Sequence, residues 1–291
     1  VTAKRKLPYN IYNLIKALGV LPIIVLIYVV AYFAAFAVTV MTGGVDVLDA
    51  DTAIVNEGLF NFLRFTLTLI VLGWIYIKDF YRYEDKSSEK EVDERKISVK
   101  KSIKYTFRPS SIVIMLLAGF CIQLGTDGIL YILGELFPTT FASYQHMMET
   151  FTGSISPLFI ITTITIGPIA EELAFRGLIL GYFNKVLGNT KRALIVACTI
   201  QALLFGLYHI NLVQMCYAFI FGMLFGLLSI RFKSLVPSIF LHMIVNGSLY
   251  VIPEAFLGNI YHAALVAVIS FVLLAAGLII FITRASEKTS E

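Results

Sequence analysis

Eight long apolar runs dominate this chain of 291 residues, at Leu18–Met41, Leu59–Ile77, Ser111–Phe137, Pro157–Phe183, Ala193–His209, Leu212–Ile230, Leu235–Ile252 and Tyr261–Thr283. Most reach the roughly 18 residues that a helix needs to cross a bilayer, and the fifth to seventh are short and closely spaced. Lipid offers no partner to a backbone N–H or C=O, so a crossing segment must satisfy those groups within itself, as a helix does. The runs therefore predict an all-α fold, a polytopic membrane helical bundle of about eight transmembrane helices. Charged residues make up only 14% of the chain, against about 25% in soluble domains, which excludes a soluble globule.

The positions of the 23 Lys and Arg test this span count, because cytoplasmic loops attract basic residues. With the N-terminus inside, the inner segments hold Lys4, Arg5, Lys6, Lys16, ten basic residues from Lys78 to Arg108, Lys185, Lys191, Arg192, Arg231, Lys233, Arg284 and Lys288. The outer loops hold Asp46, Asp49, Asp51, Glu57, Glu149 and Glu254 but no Lys or Arg, and Arg64 and Arg176 fall within spans. A wrong count would scramble this separation, so an integral multi-pass protein with both termini cytoplasmic is expected. The first run is too long for a signal-peptide core, and no A-x-A site follows it. The hydrophilic stretch from Lys78 to Arg108 mixes both signs and reads as a connector lying on the anionic inner leaflet. Cys121, Cys198 and Cys216 lie inside apolar runs and form no CxxC pair, so no disulfide framework or thiolate metal site is expected. The expected surroundings are the lipid bilayer, with no nucleic-acid partner.

The fourth run, PLFIITTITIGPIAEELAFRGLILGYF, contains Glu171, Glu172 and Arg176. An ionisable residue at the centre of a span costs about 2.5–3.5 kcal/mol, so three together call for compensation and point to function. Glu172 and Arg176 are four apart with the acid first, the favourable order for an ion pair on one helix face. Glu171 points about 100° away and has no partner in its own helix, which makes it the free carboxylate. Gly167–Pro168 just ahead is expected to break the helix and start a new one, since proline fits a first turn. His209 ends FGLYHI in the fifth run, and His242 and Asn246 are four apart in the seventh. At 1.5 Å per residue, Glu171 lies about 18 Å deep, His209 about 24 Å and His242 to Asn246 about 11–17 Å, so these groups can meet near mid-membrane. Asp127, in QLGTDG, is read as a helix break facing the interior, Gln201 as a second lining residue beside His209, and His146 and His262 as outer-surface bystanders. The spacings GLILG (Gly177, Gly181) and GMLFG (Gly222, Gly226) predict close helix packing. A structural ion-pair network is the bland alternative for the charged cluster.

These residues resemble the CPBP family of intramembrane proteases, the CaaX prenyl-endopeptidases and bacteriocin-processing or immunity proteins also called Abi. EELAFRG at Glu171–Gly177 resembles the family's EExxxR signature, FGLYH at Phe205–His209 its FxxxH, and HMIVN at His242–Asn246 its HxxxN/D, in the family's order. The resemblance covers about residues 155–252 and divides the chain into three N-terminal spans with a cytosolic loop (1–154), a four-span core (155–252), and a last span with its tail (253–291). It implies an endopeptidase that hydrolyses a membrane-embedded or lipidated peptide substrate. In that reading Glu171 and His209 hold and deprotonate a water, His242 and Asn246 donate to the oxyanion, and Glu172 and Arg176 support the geometry. No cofactor is preferred. Zinc on Glu171, His209 and His242 is the alternative, disfavoured because there is no HExxH, the ligands would come from three helices, and outer acceptors for each His look scarce. Two other classes remain open: a non-catalytic immunity or scaffold protein of the same fold, and an ion- or proton-coupled transporter, against which the lack of visible inverted repeats argues.

Overall fold

Apolar side chains such as Val25, Leu117, Ile220 and Val272 point outward and exposed, as they must where the surrounding solvent is hydrocarbon. The computed structural model describes residues 8–41, 50–82, 86–153, 156–252 and 257–287. Lys4, Arg5, Lys6, Asp46, Asp49, Glu254 and Lys288 lie outside the described residues, as does the expected boundary at 154–155.

Among the described residues ten helices follow one another: α1 Tyr9–Met41, α2 Ala50–Phe80, α3 Lys86–Thr106, α4 Pro109–Leu136, α5 Pro138–Gly153, then α6 Pro157–Leu187, α7 Lys191–Tyr208, α8 Leu212–Phe232, α9 Val236–Ser248 and α10 Ile260–Glu287. Among the described residues seven helices, all but α3, α5 and α9, are long and apolar enough to cross a membrane. The chain is thus an all-α polytopic bundle. The seventh expected span is the departure. Only Val236–Ser248 of Leu235–Ile252 is helical, 13 residues, which at 1.5 Å each is about 20 Å, short of a hydrocarbon core of about 30 Å.

Lipid tails are as apolar as leucine, so helices here associate by close fit rather than by escape from water. The glycine spacings supply that fit. A Cβ on Gly222 of α8 would stand 2.9 Å from Ala202 Cα of α7, and one on Gly226 would stand 2.7 Å from Gln201 Nε2. Gln201 is fully buried and its amide donates to Gly222 O at 2.8 Å. It therefore fastens α7 to α8 and does not line the cavity described below, contrary to the expectation. α1 packs along α2, α4 along α10, and α9 is held by α4, α6 and α8.

Two further expectations need correction, and one gains detail. The Gly167–Pro168 step does not break α6. The helix runs on by widening into π turns at Thr162–Ile166 and Leu173–Ile179. Asp127 also sits in an unbroken helix, α4, where Gln123 donates to its Oδ1 at 2.8 Å. The hydrophilic connector contains a 21-residue helix, α3. Its buried stripe includes Val92, Ser102 and Thr106, and it is pinned by Ser102 Oγ donating to Phe232 O and Tyr105 OH donating to Phe281 O. At the far end of α2, Asp79 accepts from Lys16 of α1 and Tyr182 of α6, which ties three spans together.

Candidate active site

Proline has no N–H, and α6 turns that lack into a contact. In the wide turn Gly167 N–H is committed to Thr162 O. The donor due to Thr163 O would come from Pro168, five residues on, and does not exist. Asn246 Nδ2 of α9 donates to Thr163 O instead, at 3.1 Å. A sequence irregularity in α6 thereby fixes the depth and rotation of α9, which also carries His242 one turn earlier. Only one of the two Asn246 amide hydrogens is spent in this way.

The second wide turn begins just after the two glutamates and contains Arg176. Such bulges gather at functional sites because they re-aim side chains within a helix. Glu172 and Arg176 are fully buried, with Oε1 and Nη1 2.9 Å apart. The contact lies off the N–H direction, so it is an ion pair rather than a directed hydrogen bond, and Glu172 Oε2 and the guanidinium nitrogens have no hydrogen-bond partner among the described residues. The Arg176 guanidinium instead faces aromatic rings, Phe205 at 4.3 Å and Phe225 at 5.3 Å, a placement in which the ring quadrupole attracts the cation.

Glu172 Oε1 has a second partner. It accepts from His242 Nδ1 at 2.9 Å. That acceptor sets the tautomer: the proton sits on Nδ1 and the lone pair on Nε2. Phe225 stacks on the imidazole at 4.9 Å. His242 Nε2 stands 3.7 Å from Glu171 Oε2, too far for a direct hydrogen bond but within reach of one water bound to both. The two glutamates therefore do not face unrelated partners: a single imidazole lies between them, the fully buried carboxylate on one nitrogen and the partly open one on the other.

His209 ends up in the same state by a different route. It caps α7, and its Nδ1 donates to Phe205 O at 2.8 Å, leaving Nε2 as the acceptor. The chain then turns sharply at Ile210, held at φ 59°, and α8 starts at once with Asn211 capping Gln214 N–H. A β-branched residue is uncommon in that left-handed region, so the turn is imposed by its surroundings.

Glu171, His209, His242 and Asn246 all line one cavity of 710 Å³, together with Tyr208 and Arg64. Glu172 and Arg176 lie behind its wall. Asp127 also lines it, while His146 and His262 stand outside. The structure brings together all six residues singled out from the sequence and sorts them into four that face the cavity and two that back it. Sequence reasoning missed Thr163, Tyr208, Phe225 and Arg64 as parts of the site. Only Arg64, a charge inside a span, carried a signal that could have found it.

Among the described residues no three His, Cys, Asp or Glu side chains converge closely enough to hold a metal ion as they stand. The donor set is nevertheless suited to one. Two imidazoles present Nε2 lone pairs beside a carboxylate, and each has its Nδ1–H on an outer acceptor, Glu172 for His242 and Phe205 O for His209. The expected scarcity of outer acceptors is therefore corrected. One acceptor is a carboxylate on another helix and the other a main-chain carbonyl of the fifth run itself, and neither shows in a search of the fifth and seventh runs for carboxylates.

Residues 153–248 match the family model of the type II CAAX prenyl endopeptidase Rce1-like proteins. The chain is 38% identical over 92 residues to a membrane-embedded CAAX protease, MroQ, of Staphylococcus aureus (strain USA300), a match covering 31% of this chain and 37% of that relative. The chain thus spans little more than a third of the relative's length. No solved structure matches.

Removing either member of the buried pair leaves its partner uncompensated. Glu172→Ala and Arg176→Ala are each expected to lower stability by about 3–5 kcal/mol, and the double change by clearly less than their sum. Thermal unfolding in detergent or nanodiscs measures this, and strictly additive shifts would refute a direct pair.

Proposed function

We propose that this chain is an intramembrane endopeptidase of the CPBP kind, in which Glu171 activates water for attack on a peptide bond; the match of residues 153–248 to the type II CAAX prenyl endopeptidase Rce1-like model supports this. The observation that carries this reading is one cavity in which a carboxylate and two imidazole Nε2 atoms face the same space, with the compensated pair Glu172–Arg176 behind it. Amide hydrolysis needs a base for the water, donors for the oxyanion, and a proton for the departing amine. Glu171 takes a proton from water held between it and His209 or His242. The resulting hydroxide adds to the carbonyl carbon. The oxyanion accepts from the second Asn246 N–H and from His242 when that ring carries a proton on Nε2. Glu171 returns its proton to nitrogen as the C–N bond breaks.

The substrate class follows from the cavity and the relatives. The walls include Leu21, Ile24, Val245 and Phe221, and the relative's name joins CAAX to protease. Both support a membrane-embedded or lipidated peptide. A second reading keeps the same residues: Glu171, His209 and His242 would hold a zinc ion, which would supply Lewis-acid activation of water. Their paired Nε2 lone pairs favour it. The metal-free site is preferred because the three do not converge within bonding reach of one ion and Asn246 is a donor rather than a zinc ligand.

Glu171→Gln is expected to reduce cleavage of a membrane peptide by at least about 10²-fold, the scale of a lost general base, with an unchanged melting midpoint. Wild-type turnover in the purified Gln variant would sink the assignment. Elemental analysis of active, chelator-dialysed enzyme decides the metal question. Stoichiometric zinc that leaves and returns together with activity would establish the second reading.

For topology, we propose that both termini and α3 face the cytoplasm, on the strength of the ten basic residues from Lys78 to Arg108, which requires the segment of the short helix α9 to complete an eighth crossing beside the seven long helices. A cysteine placed at Ser87 should resist an impermeant thiol reagent added outside intact cells and react once the cells are opened. Labelling from outside would reverse the orientation.

A further inference from the structure

Arg64 is the second arginine within the spans, and its surroundings differ from those of Arg176 in one respect. Arg176 has Glu172 at 2.9 Å, whereas no described carboxylate lies within ion-pair distance of Arg64. Its Nη1 donates to Tyr208 OH at 3.2 Å and its Nη2 to Asn61 Oδ1 at 2.9 Å. The Phe65 ring lies 4.0 Å from the guanidinium, and Nε is buried with no partner. Two neutral acceptors and an aromatic face orient the group but do not neutralise it. A guanidinium at this depth is stable with an anion, and it offers the fork of donors that suits a carboxylate.

Its position says which anion. Arg64 lines the same cavity as Glu171. Tyr208 joins the two: its hydroxyl accepts from Arg64, it lines the same cavity as Glu171, and it precedes His209 in the chain. We infer that Arg64 binds a carboxylate of the peptide substrate, either its C-terminus or an acidic side chain close to the cleaved bond, and so selects the substrate. The inference rests on the protease reading above.

The test uses full-length protein in nanodiscs and matched fluorogenic peptides with an apolar anchor, ending as free acid or as amide, each with an internal Glu or Gln. Wild type should cleave one carboxylate form at least about tenfold faster in kcat/KM than its neutral counterpart, the scale of one charge-assisted hydrogen bond. The acid–amide and Glu–Gln arms identify which carboxylate is read. Arg64→Gln should bring that ratio to about one, and Arg64→Lys, which keeps the charge without the fork, should retain part of it. A wild type indifferent to both changes, or an Arg64→Gln variant that keeps the ratio, overturns the role of Arg64 while the protease reading stands. If the Gln variant cannot be assayed, the wild-type ratio decides. A wild type that cleaves no peptide counts against the protease reading, and the inference falls with it.

Discussion

Glu172 is a carboxylate sealed from solvent, and it answers to two groups at once. Its Oε1 is 2.9 Å from Arg176 Nη1 and accepts from His242 Nδ1 at the same distance. The negative charge compensates a buried guanidinium on its own helix, locks the tautomer of an imidazole on another, and through that tautomer presents His242 Nε2 to Glu171. In a medium of low polarity none of these groups has an alternative partner, so the arrangement is held by the cost of breaking it. α9 is a helix of only 13 residues, and its His242 and Asn246 are both tied to α6.

The two ties on α6 have different physical origins. One is charge, at Glu172. The other is a missing hydrogen bond: Pro168 leaves Thr163 O without a main-chain donor, and Asn246 fills the place. Both sit next to π turns. A strictly α-helical α6 would have used Thr163 O internally. The irregular helix offers main-chain and side-chain acceptors to a neighbour at mid-membrane depth, where lipid would otherwise leave them costly. Aromatic rings complete the support. Phe205 stands edge-on to His209 at 4.8 Å and faces Arg176, while Phe225 stacks on His242.

The outcome is a division of labour between neighbouring residues. Glu172, turned away from the cavity, holds charge and geometry. Glu171, on its wall, keeps a carboxylate whose nearest ion-pair contact among the described residues is the 3.7 Å approach of His242. Tyr208 and His209 are divided in a similar way: the tyrosine reaches Arg64 on α2, and the histidine turns its free nitrogen into the cavity.

Sequence alone determined a great deal here, for a physical reason. Crossing lipid demands long apolar helices, and burying charge there demands compensation, so the spans and the group Glu171, Glu172, Arg176, His209, His242 and Asn246 stand out against an apolar background. The Glu172–Arg176 pairing was legible too, because four-residue spacing on a helix is local geometry. Contacts between helices were not. That His242 lies between both glutamates, that Thr163 O takes Asn246, that Gln201 clamps α8 instead of lining the cavity, and that Arg64 joins the site from α2 all depend on how helices rotate and slide against each other. In lipid that rotation is set by small close fits such as Gly222 against Ala202, which no single helix records. The widening of α6 around Pro168 escaped for a related reason. Proline announces a lost hydrogen bond, but whether the helix breaks or bulges depends on whether a neighbour supplies a replacement donor, and that donor, Asn246, comes from 83 residues away.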